Sequence, residues 1–176
     1  MFWTYRLLPN SSHNQFGQSI VTQPLNPDAS SSASIDLFKT AYLKSPSEKV
    51  EEIKRGIPAH RIGSLALEMS VSQTSLLNAM GLSRATVHHK ANKMALLSKS
   101  ESALVLGVET LIGQVQVMVA ESGDGSAFDP AKWIGRWIAS PNATLGGEPP
   151  SFYMDTVEGQ KLVAQVLAMT QSAAYG

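Results

Sequence analysis

One stretch constrains this chain more than any other: Ser70 to Met94, SVSQTSLLNAMGLSRATVHHKANKM. Ser72 can cap a short helix over Gln73–Met80, and Ser83 can cap a second over Arg84–Met94, because a serine oxygen satisfies free N–H groups in a helix's first turn. Between them Gly81 offers a backbone conformation that other residues resist. Leu82 fills the space under the turn, and small Ala79 lets the helices approach. Leu76, Leu77 and Met80 make the inner face of the first helix; Val87, Ala91 and Met94 make that of the second. This is the pattern of a helix-turn-helix, whose second helix can enter the major groove of DNA. On its outer side Arg84 can pair with guanine, Asn92 with adenine, Lys90 or Lys93 with phosphate, and Thr86 with phosphate or base. Ser83, His88 and His89 complete that candidate DNA-binding set. Helix pairs of this kind also serve as scaffolds for protein contacts, so both uses stay open at this point.

Two short helices cannot bury their apolar faces alone, and the flanking sequence reads helical on both sides. Ser47–Gly56 opens with a serine after Pro46, carries acids in its first turn and ends in Lys54-Arg55 before Gly56. Pro58 opens another helix, with Ile62, Leu65, Ala66 and Met69 at helical spacing. A long helix begins at Ser98 or Ser100 and reaches about Ala120, striped by Leu104, Val108, Leu111, Ile112, Val115 and Val119. Asp129 caps a further helix with Pro130 at its first position and Trp133, Ile134, Trp137 and Ile138 inward. Ser151–Met154 can form one turn, and the last helix runs from about Thr156 to Gln171. The expected fold is all-α: a helix-turn-helix domain at 46–121, a small helical domain at 122–176, and a flexible N-terminal segment at 1–45. Residues 11–34 are rich in Ser, Asn, Gln and Pro and bury too little apolar surface to offset their ordering entropy. Phe2, Trp3, Tyr5, Leu7 and Leu8 stand apart from that composition. They read either as a weakly attached terminus or as a motif that docks on the core or a partner.

Charge divides the chain more sharply than its net value of zero suggests. Residues 44–99 hold nine Lys and Arg against four Glu, a balance of +5; residues 100–176 hold three against eight Asp and Glu, a balance of −5. A basic middle attracts phosphates, and an acidic C-terminal part suits a different partner. Cysteine is absent, which excludes disulfides, thiolate metal sites and cysteine nucleophiles. With no run of 18 wholly apolar residues and no basic-then-apolar leader, neither a membrane span nor a secretory signal is expected, and the cytoplasm is the expected compartment. Adjacent His88 and His89 face different directions on a helix and cannot readily share a metal. Gly123-x-Gly125 follows no strand, so it lacks the setting of a phosphate-binding loop. Trp133 and Trp137, four residues apart, read as core or as a ligand platform. No catalytic constellation remains, and the chain reads as a binding protein rather than an enzyme.

From Val50 to Gly176 the chain resembles the Xre/MbcA/ParS antitoxins that pair with RES-domain toxins. Arg55-Gly-Ile-Pro58, Met80-Gly-Leu-Ser-Arg-Ala-Thr-Val87 and Leu97-Ser-Lys-Ser-Glu-Ser102 follow the family's order of signals. More specific is Trp137…Pro141-Asn142…Gly146-Gly147…Pro149, followed by Gly159 and the closing Ala174-Tyr-Gly176. The family often has arginines in the recognition helix, where this chain has His88, His89 and Lys90. The resemblance implies an antitoxin of a type II toxin–antitoxin system. It implies a partner toxin of a fold related to ADP-ribosyltransferases, consuming NAD, whose active site the C-terminal region covers. It also implies promoter DNA as a second partner and a homodimer within a larger complex. NAD is then the toxin's substrate, and no cofactor is expected here. The toxin-binding residues it implies are Trp137, Pro141, Asn142, Gly146, Gly147, Gly159, Tyr175 and Gly176. The competing reading is a stand-alone transcription regulator whose C-terminal half dimerises or senses a ligand.

Overall fold

A computed structural model of the chain describes residues 37–122 and 128–174, the last five of these by backbone alone. Every regular element among them is helical. Helical residues 37–43 (α1) lead to α2 (Pro46–Arg55), α3 (Arg61–Glu68), α4 (Gln73–Ala79), α5 (Arg84–Asn92), the long α6 (Lys99–Ser122), α7 (Pro130–Trp137) and α8 (Val157–Ala174). Two 3-10 turns, Ala143–Leu145 and Pro150–Tyr153, link α7 to α8. The all-α expectation is met, including helix at Val115–Val119, a stretch whose composition also suits a strand.

Several boundaries differ from the sequence reading, each for a local reason. The cap of α2 is Ser45, not Ser47. Its Oγ accepts from Glu48 N while the Glu48 carboxylate accepts from Ser45 N at 2.7 Å, a reciprocal box that puts Pro46 at the first helical position. Pro58 does not open α3; its residue pairs with Leu96 in an isolated bridge, and the helix begins at Arg61. Met94 is not on the inner face of α5. That helix ends at Asn92, and Met94 takes a left-handed φ of 50° while Ala95 N bonds Lys90 O at 2.9 Å. This is the closing geometry usually given to glycine, and it turns the methionine out to 87 % exposure.

The axis of the fold is α6, with α2, α7 and α8 packed around it. It has the length and apolar character of a membrane-crossing helix, but here Leu104, Val105, Val108, Leu111, Ile112 and Val115 are buried in the core. Glycines set its closest crossings: a Cβ on Gly113 would stand 2.0 Å from Phe38 O in α1. Gly107 leaves room for buried Gln160 of α8, whose Nε2 donates to Leu104 O at 3.1 Å and Met154 O at 3.0 Å. One continuous core joins Leu76, Leu77, Met80 and Val87 to Ile134, Ile138, Met154, Val163 and Leu167.

At the edge of that core lies an ion network the sequence reading did not find. Arg61 Nε donates to Glu109 Oε1 at 2.6 Å, and Nη1 donates to both Glu68 oxygens at 3.0 and 3.1 Å. Glu109 is nearly fully buried. Burial pushes its carboxyl above the ordinary value, although the Arg61 charge and hydrogen bond pull the other way. Arg61 Nη2 is buried without a hydrogen-bond acceptor, and the Phe38 ring lies 5.3 Å from the guanidinium carbon.

Candidate functional site

The sequence pointed to two surfaces. The first is built by α4, the Gly81 turn and α5. Ser72 Oγ accepts from Ser75 N at 3.0 Å and Ser83 Oγ from Thr86 N at 3.4 Å, so both helix starts are capped by the serines the pattern indicated. Gly81 has a φ of +63°, and Leu82 N closes the turn on Leu77 O at 2.9 Å. Val87 is the one fully buried residue of α5. With so shallow an anchor, most of the helix is free to face a partner.

Ser83, Arg84, Thr86, His88, His89, Asn92 and Lys93 are all exposed. Asn92 Nδ2 and His88 Nδ1 are 3.3 Å apart on the same face. Lys90 differs from them: it is half-buried, and its ammonium is held by Glu101. Burial works to raise the Glu101 carboxyl, but hydrogen bonds from Lys90 and from Ser98 N and Oγ outweigh it and hold the pKa below the ordinary value. Glu101 thereby fastens the end of α5 to the start of α6, where Ser98 N reaches it at 2.6 Å. Lys90 is a brace within the fold, and the outward cationic set on α5 is Arg84 and Lys93.

The second surface runs from α7 to the start of α8. Asp129 Oδ1 caps α7 through Lys132 N at 3.0 Å. Ile134 and Ile138 face the core, while Trp133 and Trp137 are half-buried and stacked on each other, 5.7 Å between centroids and 13° between planes. Phe128 continues the row, 6.2 Å from Trp133. Gly135 allows α7 to cross the end of α3, since a Cβ there would meet Met69 O at 2.3 Å.

The segment after Trp137 is a tightly closed loop. Asn142 Oδ1 accepts from Thr144 N at 2.9 Å, Asn142 O from Gly147 N at 2.9 Å, and Asn142 N donates to Glu148 O at 3.2 Å. Gly146 and Gly147 take φ values of +70° and +92°, which side chains resist. Leu145 is tucked inward, and Ser151 N ties the loop back to Ile138 O at 2.8 Å. Gly159 lies against the last 3-10 turn, where a Cβ would stand 1.9 Å from Tyr153 O. Of the positions singled out from the sequence, Asn142, Gly146, Gly147 and Gly159 therefore shape backbone, Trp137 is a stacked wall, and Pro141 is exposed. Tyr175 and Gly176 lie outside the described residues.

Sequence reading missed Phe152, which is 66 % exposed at the tip of the last 3-10 turn. An isolated apolar residue beside Pro149-Pro150 carries no periodic signal, so only its placement reveals it. The two surfaces also touch. Pro150–Tyr153 packs on α4, and Asp155 stands beside the Gly81 turn, its Cβ 3.2 Å from where a Cβ on Gly81 would lie. Among the described residues no group of His, Asp and Glu is arranged to hold a metal ion.

Comparison with known proteins bears on the second surface. Residues 126–172 match the family described as antitoxin Xre/MbcA/ParS C-terminal toxin-binding domain. The chain is also similar to the Prs ADP-ribosylating antitoxin of Sphingobium sp. (strain YBL2), 37 % identical over 138 residues, which cover 78 % of this chain and 87 % of that protein. No solved structure matches it.

Proposed function

Because the chain belongs to the Xre/MbcA/ParS antitoxin family, we propose that it neutralises a cognate RES-domain toxin and represses its own promoter. The observation that carries this reading is the toxin-binding family match over 126–172, residues that follow the α4–α5 unit in the chain and include none of α5. The relative's name joins an antitoxin to ADP-ribosylation, in keeping with a toxin that consumes NAD. The action is binding alone: the C-terminal region, acidic by −5 over residues 100–176, lies over a toxin pocket that must be basic enough to hold a dinucleotide. Trp137 and Pro141 supply the apolar contact at the loop, and the Asn142–Gly147 closure keeps that loop in one shape for docking. Tyr175 and Gly176, assigned by the family resemblance, reach into or against the NAD pocket. On the DNA side, Arg84 reads a base edge, Asn92 a second, and Lys93 holds phosphate. A homodimer within the toxin complex sets two such helices on a two-fold operator.

The experiment is co-expression with the toxin encoded beside this gene, scored by growth rescue and co-purification. Full-length chain rescues growth, and deletion of residues 173–176 weakens rescue. A truncated chain that rescues as well as the parent overturns the role given to the terminus; failure of the full chain to rescue or co-purify overturns the toxin reading. For DNA, promoter affinity falls steeply as salt rises. Arg84→Ala lowers discrimination between operator and unrelated DNA by about tenfold or more at unchanged Tm. A salt-independent or absent interaction removes the repressor role and leaves toxin binding standing.

A further inference from the structure

An apolar groove of about 360 Å³ runs between α4 and the Pro149–Phe152 turn, floored by Val71, Leu76, Ala79 and Ile138. No charged side chain lines it, and its polar rim is limited to hydroxyl and amide groups, Ser75, Asn78 and Ser151. Its fitting guest is a short uncharged stretch of large side chains with polar tips, since Trp and Tyr bring an apolar ring and one hydrogen-bonding group each.

We propose that the N-terminal Phe2-Trp-Thr-Tyr-Arg-Leu-Leu8 segment of this same chain occupies that groove, with an aromatic ring against Phe152 and the Trp3 N–H or Tyr5 O–H on the Ser75–Asn78 rim. Chemistry and length both favour it over a second copy or another protein. The segment matches the groove in apolar character and carries a single charge, Arg6, which can project to solvent. The position of Phe38 also fits. Phe38 sits under Arg61 at the start of α3, and the groove opens at Val71, just beyond that helix's end. Eight residues of helix rise about 12 Å, which sets the scale of the gap between Phe38 and the groove. Twenty-eight residues, 9–36, rich in Ser, Asn and Gln, separate the segment from residue 37, and a coil of that length would span about 30 Å on average. A tether matched to its gap gives an effective concentration in the millimolar range, so even a weak fit fills the groove. The groove shares Pro149, Ser151 and Phe152 with the segment read as toxin-binding, but docking is read in the free chain and needs neither toxin nor DNA.

The chain has no cysteine, so introduced pairs label cleanly. Nitroxides on Thr4→Cys and Ser140→Cys of the full-length protein, Ser140 being exposed beside the groove, are expected to give a narrow short-distance peak. Adding Phe2→Ala and Trp3→Ala broadens it, as does Phe152→Ala, an exposed position whose loss leaves the core intact. Trypsin cleavage after Arg6 is expected to accelerate about tenfold in the Phe2→Ala/Trp3→Ala chain. A distance distribution already broad in the parent, or cleavage unchanged by the substitutions, overturns the proposal. A peak that vanishes on dilution with unlabelled chain shows docking between copies and overturns it as well.

Discussion

The α4–α5 unit and the Trp137–Gly159 segment both stood out in the sequence, but their marked residues do different work. In α4–α5 two serines and a glycine build the turn, apolar residues such as Leu76, Leu77 and Val87 hold it to the core, and the candidate contact residues, Lys90 apart, point outward, so that contact chemistry is written on the surface. In Trp137–Gly159 the order is reversed. Asn142, Gly146, Gly147 and Gly159 hold one backbone path, and the side chains exposed beside it are those of Pro141 and Phe152. A motif can therefore identify a family through residues whose visible work is to shape the backbone. The lesson extends to substitution: in the first region a change should alter binding and spare the fold, and in the second it should alter the fold first.

Arg61→Ala should have the largest effect because it undermines the support common to both regions. Glu109 would be left buried without its guanidinium, a loss of about 3–5 kcal/mol, read as a fall in the chemical denaturation midpoint. The partner substitution, Glu109→Gln, should be far milder, since Arg61 keeps Glu68. It should also have a pH signature. The Glu109 carboxyl is raised in the folded chain, so its contribution is present below the ordinary 4.5 and is lost as pH climbs through the folded value. The Tm of Glu109→Gln relative to the parent should thus improve from acid to neutral pH; a gap independent of pH would show that Glu109 keeps an ordinary pKa in the fold.

Gly159→Ala comes next and tests the comparison directly. Its Cβ would collide with Tyr153 O, which as backbone cannot step aside cheaply. The cost is about 2–3 kcal/mol, a Tm lowered by roughly 5–10 °C, with toxin co-purification reduced. If instead Tm is unchanged while toxin binding is lost, Gly159 is itself a contact and the contrast between the two regions fails there. Met94→Gly is the smallest. It relieves a left-handed methionine that is exposed and gains nothing from burial. Tm should rise by a degree or two, for a gain of up to about 1 kcal/mol, and a fall would mean that the side chain packs in solution.

Much of the fold was legible because its signals are local. Serine caps at 72 and 83, the Gly81 turn, Pro130 behind Asp129 and the apolar stripe of α6 each follow from neighbours within a turn or two. The sequence alone determined that this protein is a set of capped, amphipathic helices with basic character in its middle, because helix caps and a period of 3.6 are decided within about four residues. What it could not decide was direction and partnership. Lys90 looked like any exposed lysine until Glu101 was placed beside it, and Met94 looked like core until the chain closed α5 two residues earlier. Arg61 met Glu109 across 48 positions, and Gly107, Gly113, Gly135 and Gly159 acquired their meaning only where another element's atoms came within the space of a methyl group. The groove beside Phe152 likewise exists only because α4 and the Pro149–Phe152 turn, some seventy residues apart, face each other. Those properties depend on which helix lies against which, and the tertiary structure alone sets that, because burial and close approach are relations between segments rather than properties of any one of them.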